Sequence, residues 1–171
     1  MRSDEQQLLT WVPRLRRYAR ALAPNRDDAD DLVQDTLERA WLKSGLWRGV
    51  ADMRAWLFSI MHNVHVDGAR RPRLQTVAID DDTPEVPVAP NQSERLEVMD
   101  LQAALEQLPL EQKEIVLLVA LEDMAYADVA KALDIPIGTV MSRLSRGRER
   151  LRVLMAGRAD VVQLQVVRKT P

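Results

Sequence analysis

The sequence predicts an all-α protein built from two small helical domains that are joined by a flexible linker. Apolar residues recur at three- and four-residue spacing along most of the chain. Glycine is sparse, with 6 residues in 171, and strand-like alternation is nearly absent before the C-terminal tail. A proline-rich segment at 72–93 interrupts the helical pattern. We therefore expect an N-terminal domain over 1–71, a C-terminal domain over 94–156 and a separate tail over 157–171.

Three helices are predicted in the N-terminal domain. The first runs from about residue 5 to 23 and is expected to bend at Pro13, because proline lacks the amide donor. The second covers about 27–43, with Asp27 as the N-cap, acidic residues suited to the helix dipole, and Gly45 at its end. The third covers about 52–69 and again has an aspartate at its start.

The segment at 72–93 contains four prolines and an acidic triplet, which favour extended chain. After it, the spacing predicts helices over about 94–107, 110–122, 126–133 and 137–155. The tail contains the string VVQLQVV, which fits either a short strand or a peptide that pairs with a partner. Nothing in the tail assigns it a role.

Residues 126–151 are the most informative part of the chain, because they fit a helix, a tight turn at Ile135 and a second helix rich in arginine. The apolar positions that define the two buried faces are Val129, Ala130, Leu133, Val140, Leu144 and Leu151. The basic residues of the second helix are Arg143, Arg146, Arg148, Arg150 and Arg152. A helix-turn-helix that ends in a run of arginine predicts DNA binding. The alternative is a solvated basic helix in an ordinary bundle.

The composition excludes several classes of site. The chain has no cysteine, so it has no disulfide, thiolate zinc site or thiol nucleophile. The polar N-terminus argues against a secretory signal, and the longest apolar run, 115–121, is too short to span a bilayer. No nucleophile motif, phosphate loop or convincing metal set is present, so we expect neither an enzyme nor a bound cofactor or metal.

Charge is segregated along the chain although the net charge is only −2. Arginines concentrate near 143–158. An acidic block lies much earlier, at Asp27, Asp28, Asp30, Asp31, Asp35 and Glu38. This asymmetry predicts separate surfaces for separate partners.

Two motifs in this order closely resemble an extracytoplasmic-function sigma factor, the group IV sigma-70 proteins that keep only sigma domains 2 and 4. The N-terminal motif is DDADDLVQDTLERAW at 27–41, followed by MRAWLFSIMHNVHVDGARR at 53–71. The C-terminal motif is ALEQLPLEQKEIVLL at 104–118, followed by PIGTVMSRLSRGRERLR at 136–152. The resemblance covers about residues 10–155. It implies a cytoplasmic protein that directs core RNA polymerase to promoters and has no enzymatic activity of its own.

The resemblance implies that the second helix docks on the clamp helices of the polymerase, while the C-terminal domain meets the flap. The core-binding residues it implies are Asp31, Leu32, Gln34, Asp35, Leu37 and Glu38. Acidic side chains there would steer toward a basic partner more than they add affinity. For Asp27 and Asp28, a role that is limited to complementing the helix dipole is favoured.

The resemblance also assigns recognition of the −10 element to the third helix and the loop before it. The implied contacts are Trp47, Arg48, Arg54, Asn63, Arg70 and Arg71. Asn63 matches the family position that contacts a flipped base, whose edge an amide can read. We expect Trp41 and Trp56 in the core and Trp47 as an exposed aromatic. His62 and His65 are interpreted as surface residues, since no third metal ligand lies nearby.

The −35 element is expected to meet the second helix of the helix-turn-helix. The implied contacts are Thr139, Met141, Ser142, Arg143, Ser145 and Arg146. Arg143 and Arg146 suit guanine or phosphate, which the sequence cannot distinguish. Met141 departs from the lysine or arginine that many family members place there, so the preferred −35 sequence stays open.

The expected partners are core RNA polymerase, promoter DNA and an anti-sigma factor that touches the 27–41 helix and the 110–152 module, with no direct membrane insertion. A helix-turn-helix regulator that works without polymerase is one alternative, but it leaves the 53–71 motif unexplained. A helical adaptor that mimics a sigma factor is another. Such a mimic has no need for Asn63, Arg143 or Arg146.

Overall fold

The computed structural model describes residues 2–70 and 92–167, and within these residues every regular element is helical. The seven α-helices follow the predicted order. They are α1 (Arg2–Leu22), α2 (Arg26–Leu42), α3 (Met53–Arg70), α4 (Gln92–Glu106), α5 (Leu110–Ala120), α6 (Tyr126–Leu133) and α7 (Ile137–Val167). A 3-10 turn over Ser44–Gly49 connects α2 to α3. The predicted linker at 72–93 lies outside the described residues except for its last two, which belong to α4.

The N-terminal unit is a three-helix bundle in which α2 packs against both α1 and α3. Its center is apolar, with Leu15, Leu57 and Met61 fully buried. The rings of Tyr18 and Phe58 meet edge to face with centroids 5.0 Å apart, which joins α1 to α3. Burial of these side chains is the main stabilisation of the unit.

The start of α2 differs from the prediction. Asn25, and not Asp27, is the N-cap: its side-chain oxygen accepts a hydrogen bond of 2.8 Å from the amide of Asp28. Asn and Asp are equally good caps, so the sequence alone could not rank them. At α3 the prediction is confirmed, since Asp52 Oδ1 accepts from the amide of Ala55 at 3.2 Å. Pro13 lies inside α1, which continues through it.

The C-terminal unit is organised around α7, which packs against α4, α5 and α6. Ile115, Val129 and Val140 are fully buried between these helices. Gly147 allows α7 to approach α5 closely, because a Cβ atom at that position would lie 2.9 Å from Val116 Cγ2. Any larger residue at 147 would require the Val116 side chain or the two helices to shift.

The turn of the helix-turn-helix has the predicted geometry. Asp134 adopts the left-handed conformation, with φ 53° and ψ 51°, and ends α6. The amide of Ile135 then donates to the carbonyl of Ala130 at 3.1 Å, which is the closing bond of a Schellman-type cap. Ile135 packs partly buried against the core, confirming that it closes the turn.

The tail does not form the strand that was one of its two interpretations, because α7 continues through 157–167. Extending an existing helix requires no new nucleation, and a glycine such as Gly157 costs only about 1 kcal/mol in a helix. Residues 168–171 lie outside the described part of the chain.

Candidate nucleic-acid and partner-binding surfaces

The start of α7 and the start of α5 form a shallow polar groove. Its lining residues are Glu111, Gln112, Gly138, Thr139, Ser142, Arg143 and Arg146. Four of the six predicted −35 contacts therefore line one groove. The other two, Met141 and Ser145, are exposed on the same helix, and Met141 keeps 52% of its surface accessible. The sequence did not indicate that α5 contributes Glu111 and Gln112 to this surface.

Two of these groove residues have partners within the protein. Arg143 Nη2 lies 3.6 Å from Glu111 Oε2, in an ion pair whose carboxylate side chain is 69% exposed. Such an exposed pair is weak and screened, so a phosphate or a base edge can replace Glu111 at little cost. Ser142 Oγ donates to the carbonyl of Gly138 at 3.0 Å. Its hydroxyl oxygen is still able to accept a hydrogen bond.

Farther along α7, Arg148, Arg150 and Arg152 are exposed, and Arg152 is paired within its own helix. Arg152 donates twice to Glu149, with Nε–Oε2 at 3.0 Å and Nη2–Oε1 at 2.7 Å. These bonds lower the pKa of Glu149. The pairing favours a solvated role for Arg152, in contrast with Arg146, which lines the groove.

The predicted −10 surface lies along α3 and the turn before it. Asn63 is exposed in the middle of α3, and Arg54 is half-buried near its start. Arg54 Nη1 donates to the backbone carbonyl of Glu122, at 3.3 Å. For Arg48 in the 3-10 turn and Arg70 at the end of α3 only the backbone is described, and Arg71 lies outside the described residues.

Two of the tryptophan predictions are wrong. Trp47 is buried, with 6% of its surface exposed, and its indole Nε1 donates to the carbonyl of Ala40 at 3.0 Å. Trp41 is 41% exposed instead of buried. The 3-10 turn folds back on the end of α2, so Trp47 fills the gap there between Trp41 and Trp56. Trp56 packs partly buried against the core.

The predicted polymerase-binding face on α2 is mostly accessible. Asp31, Gln34, Asp35 and Glu38 are exposed and Leu37 is half-buried. Leu32 is 6% exposed and belongs to the core, so it does not offer the apolar anchor for a partner that the sequence predicted. It supports the exposed face of α2 from the core side.

A wide groove between α1 and α2 extends this face in a way that the sequence did not indicate. From α2 it includes Gln34, Leu37, Glu38 and Trp41, and from α1 it adds apolar and basic groups. The α1 contributors include Leu8, Leu9, Val12, Arg16 and Arg20. Leu9 is 64% exposed, so the groove carries accessible apolar surface next to both signs of charge.

A separate set of polar contacts joins the two helical units. His62 Nδ1 on α3 lies 2.8 Å from Glu114 Oε1 on α5, and the hydrogen bond to Glu114 raises the pKa of His62. His62 is therefore not a simple surface histidine. Lys113 Nζ donates to the carbonyl of Leu22 at 2.9 Å, and burial lowers the pKa of Lys113.

Glu122, which follows α5, is completely buried at the same boundary. Arg17 Nη2 donates to Glu122 Oε1 at 3.2 Å and to the carbonyl of Leu121 at 2.9 Å. Arg14 Nε lies 3.3 Å from Glu122 Oε2, but that oxygen accepts no aligned hydrogen bond. Nothing in the spacing of the sequence could pair residues that lie more than a hundred positions apart.

No cluster of three or more potential metal-ligating side chains was found among the described residues. None of the described helices combines the length and the apolar character needed to cross a membrane. The surfaces are thus a polar helix-turn-helix groove, a second helix with exposed polar groups, and a mixed groove on α1 and α2. They define a two-unit helical protein whose basic helix-turn-helix groove is separate from its mixed apolar and charged groove.

Comparison with known proteins identifies the family. Residues 8–62 match the family model described as the sigma2 domain of PhyR, and residues 99–151 match the model for sigma-70 region 4. The ECF RNA polymerase sigma factor EcfG of Rhodopseudomonas palustris is 35% identical over 149 residues, covering 86% of this chain and 82% of that protein. SigM of Mycobacterium tuberculosis is 35% identical over 141 residues, covering 82% and 71%. The chain belongs to the ECF RNA polymerase sigma factor family.

Solved structures agree with this assignment. The sigma factor RpoE from Bartonella quintana, crystallised with the anti-sigma factor NepR, is 34% identical to this chain. It superimposes with a TM-score of 0.75 over 91% of this chain and 98% of that one. CnrH, solved with the cytosolic domain of CnrY, is 26% identical, with a TM-score of 0.68 over 91% and 89%.

Proposed function

We propose that this sigma factor reads its promoter through two surfaces: the α3 face around Asn63 for the −10 element and the α5–α7 groove for the −35 element. The observation that carries the proposal is the groove, where Thr139, Ser142, Arg143 and Arg146 line the N-terminal part of α7. A helix-turn-helix places the N-terminal part of its second helix in the major groove, where such side chains meet base edges and phosphates.

At the −10 element the proposed contacts divide by chemistry. The exposed amide of Asn63 can donate to and accept from the edge of an unstacked base. Arg48, Arg54, Arg70 and Arg71 are proposed to neutralise the phosphates of the single strand. Trp47 has no place in this set, because its ring and its indole donor are used inside the fold.

Core polymerase is proposed to bind the α1–α2 groove and the acidic face next to it. Asp31, Gln34, Asp35 and Glu38 are accessible and can set the register of a basic partner helix. Exposed Leu9 and Trp41 offer the apolar contact that Leu32 cannot supply. The polymerase flap is proposed to meet the C-terminal unit.

An anti-sigma factor is the proposed regulator. Two structurally similar proteins were solved with such regulators or their cytosolic domain: RpoE with NepR, and CnrH with CnrY. The proposed interface here is α2 together with the α5–α7 module, which would hide the polymerase-binding face. The proposal places the protein in the cytoplasm with the polymerase and gives it no catalytic step of its own.

Run-off transcription with core polymerase and a genomic promoter library tests the proposal. Transcripts that depend on this chain are expected, and Asn63→Ala combined with Arg143→Ala should abolish them. Two exposed changes on the same unit as Arg143, Arg152→Ala and Gln107→Ala, serve as the matched control and should retain activity. Duplex binding without polymerase-dependent transcripts would instead favour a polymerase-independent regulator. The absence of both activities would favour the sigma-mimicking adaptor.

A further inference from the structure

The contacts between the two helical units are distributed along α5 and the turn that follows it. From the N-terminal unit, α1 packs against α5 and α3 packs against α6. The polar partners at this boundary pair Arg14 and Arg17 with Glu122, Arg54 with the carbonyl of Glu122, His62 with Glu114, and Lys113 with the carbonyl of Leu22. The two units thus form an interface in which these charged groups lie beside apolar packing, because the buried residues of both units belong to one hydrophobic cluster.

We infer that this arrangement is a closed, self-masking state, held by Glu122 between Arg14 and Arg17, which must open before the chain can occupy a promoter. The inference rests on the proposed function, since it assumes that α3 and α7 read two separate DNA elements. We call the contact of Glu122 with Arg14 and Arg17 the latch. It lies within one chain and requires no regulatory protein.

Helix spacing shows why the closed state cannot read both elements. In the structure α6 packs directly on α3, and α7 packs on α6. Two helix-to-helix spacings of 8–10 Å place the two reading helices within roughly 20 Å of one another. Elements centered near −10 and −35 are about 25 base pairs apart, which is roughly 85 Å along B-DNA. Promoter engagement therefore requires the units to separate.

In the closed state, groups on or next to the proposed −10 surface are already bonded to the C-terminal unit. Arg54, which we propose contacts the phosphates of the DNA, donates to the carbonyl of Glu122. His62 is adjacent to Asn63 in the chain and is held by Glu114. A single strand that approaches α3 must compete with α5, α6 and the turn between them. Closure and −10 binding are thus alternatives for the same helix.

The latch is built from groups that water can solvate after separation. Glu114 and Glu122 are buried where the units meet, and Arg14 and Arg17 are already 41% and 53% exposed on the other side. Lys113 caps the last carbonyl of α1, where a cation is favoured by the helix dipole.

Single-molecule energy transfer tests the inference on the full chain. The protein has no cysteine, so Ser44→Cys and Lys131→Cys, both exposed and on different units, introduce the only two dye sites. The chain alone should show one compact population. Arg14→Gln with Arg17→Gln should add an extended population, with the dye separation increased by about 20 Å or more. Adding core polymerase and promoter DNA should extend the unmodified pair as well.

Arg16→Gln with Arg20→Gln is the matched control, because it removes the same charge from the same helix without touching Glu122. It should leave the compact population unchanged, and circular dichroism should show both double variants folded. A second route, Glu122→Gln, should open the chain by removing the carboxylate.

An extended population in the unmodified chain, or no extension in either latch variant, would overturn the inference. These outcomes are read without transcription, so they are separable from a failure of the proposed function. If run-off transcription succeeds while the free chain is extended, only the latch is wrong. If the chain is compact and opens in the variants but supports no transcription, the proposed function is wrong and the domain contact is real.

Discussion

The imidazole of His62 lies 2.8 Å from the carboxylate of Glu114 and connects α3 to α5 across the boundary between the two units. The side chain of Glu114 is only 4% exposed, and that of His62 is 23% exposed. Tyr18 lies near the same acidic groups: burial raises the pKa of its phenol first, and the charges of Glu114 and Glu122 raise it further. A proton on His62 therefore stabilises the closed arrangement.

We predict that closure weakens as pH rises. The hydrogen bond to Glu114 raises the pKa of His62 in the closed state above its ordinary value of about 6.5. The contribution of His62 is fully present below that ordinary value and is lost as pH rises through the higher closed-state pKa. The compact fraction, measured by energy transfer between pH 5.5 and 8.5, should fall across this window.

The control for this titration is the other histidine of the chain. His62→Gln should remove the pH dependence above 6, whereas His65→Gln should retain it, since those are the only two histidines. A pH-independent compact fraction in the unmodified chain, or an unchanged profile in His62→Gln, would show that this contact does not govern closure.

The two indoles at the end of α2 should respond in opposite ways. Trp47→Ala removes a buried ring and the indole hydrogen bond to the carbonyl of Ala40, so it should destabilise the N-terminal unit by about 3–5 kcal/mol in urea unfolding. Trp41→Ala should leave stability nearly unchanged and weaken binding to core polymerase by about tenfold, as expected for an aromatic anchor. Equal stability losses in the two variants would contradict this division.

The sequence predicted what depends on local pattern and missed what depends on long-range packing. The seven helices and the turn at Ile135 follow from spacing and cap chemistry, which act over a few residues. The predicted burial of Trp41 and Trp47 was reversed, because the path of a six-residue turn depends on the gap in the fold that the turn must fill. His62 looked like a surface residue because Glu114, its partner, is more than fifty positions away.

The candidate site divides in the same way. Four of the six predicted −35 residues line one groove because they lie on one helix, whose face is fixed by its period. The contribution of α5 to that groove, and of α1 to the proposed polymerase-binding groove, arises from helix packing that a single sequence does not encode locally. Family resemblance assigned Leu32 an anchoring role for a partner, but Leu32 lies on the core side of α2 and is only 6% exposed.

Gly147→Ala should destabilise the C-terminal unit even though alanine favours helix. The added methyl group would lie 2.9 Å from Val116 Cγ2, and a β-branched side chain in the core cannot move aside cheaply. We expect a loss of about 1–3 kcal/mol in the free energy of unfolding. Gly157→Ala, in the same helix with open space around it, is the matched control and should stabilise by up to about 1 kcal/mol. A stabilised Gly147→Ala variant would show that α5 and α7 tolerate a wider spacing.

The last prediction concerns promoter recognition by α7. Met141 is exposed beside the groove and carries no charge, so it can touch an apolar base edge but cannot neutralise a phosphate. Met141→Arg should therefore raise affinity for all duplexes and increase the magnitude of the slope of log K against log salt by about 1. Arg143→Ala should lower affinity by about 1–3 kcal/mol, and the loss should be concentrated at one base position if Arg143 reads guanine. Arg152→Ala, which removes a cation already paired with Glu149, should change neither quantity appreciably. Fluorescence anisotropy with promoter and scrambled duplexes at several salt concentrations measures both. A slope that is unchanged in Met141→Arg would place residue 141 away from the phosphate backbone.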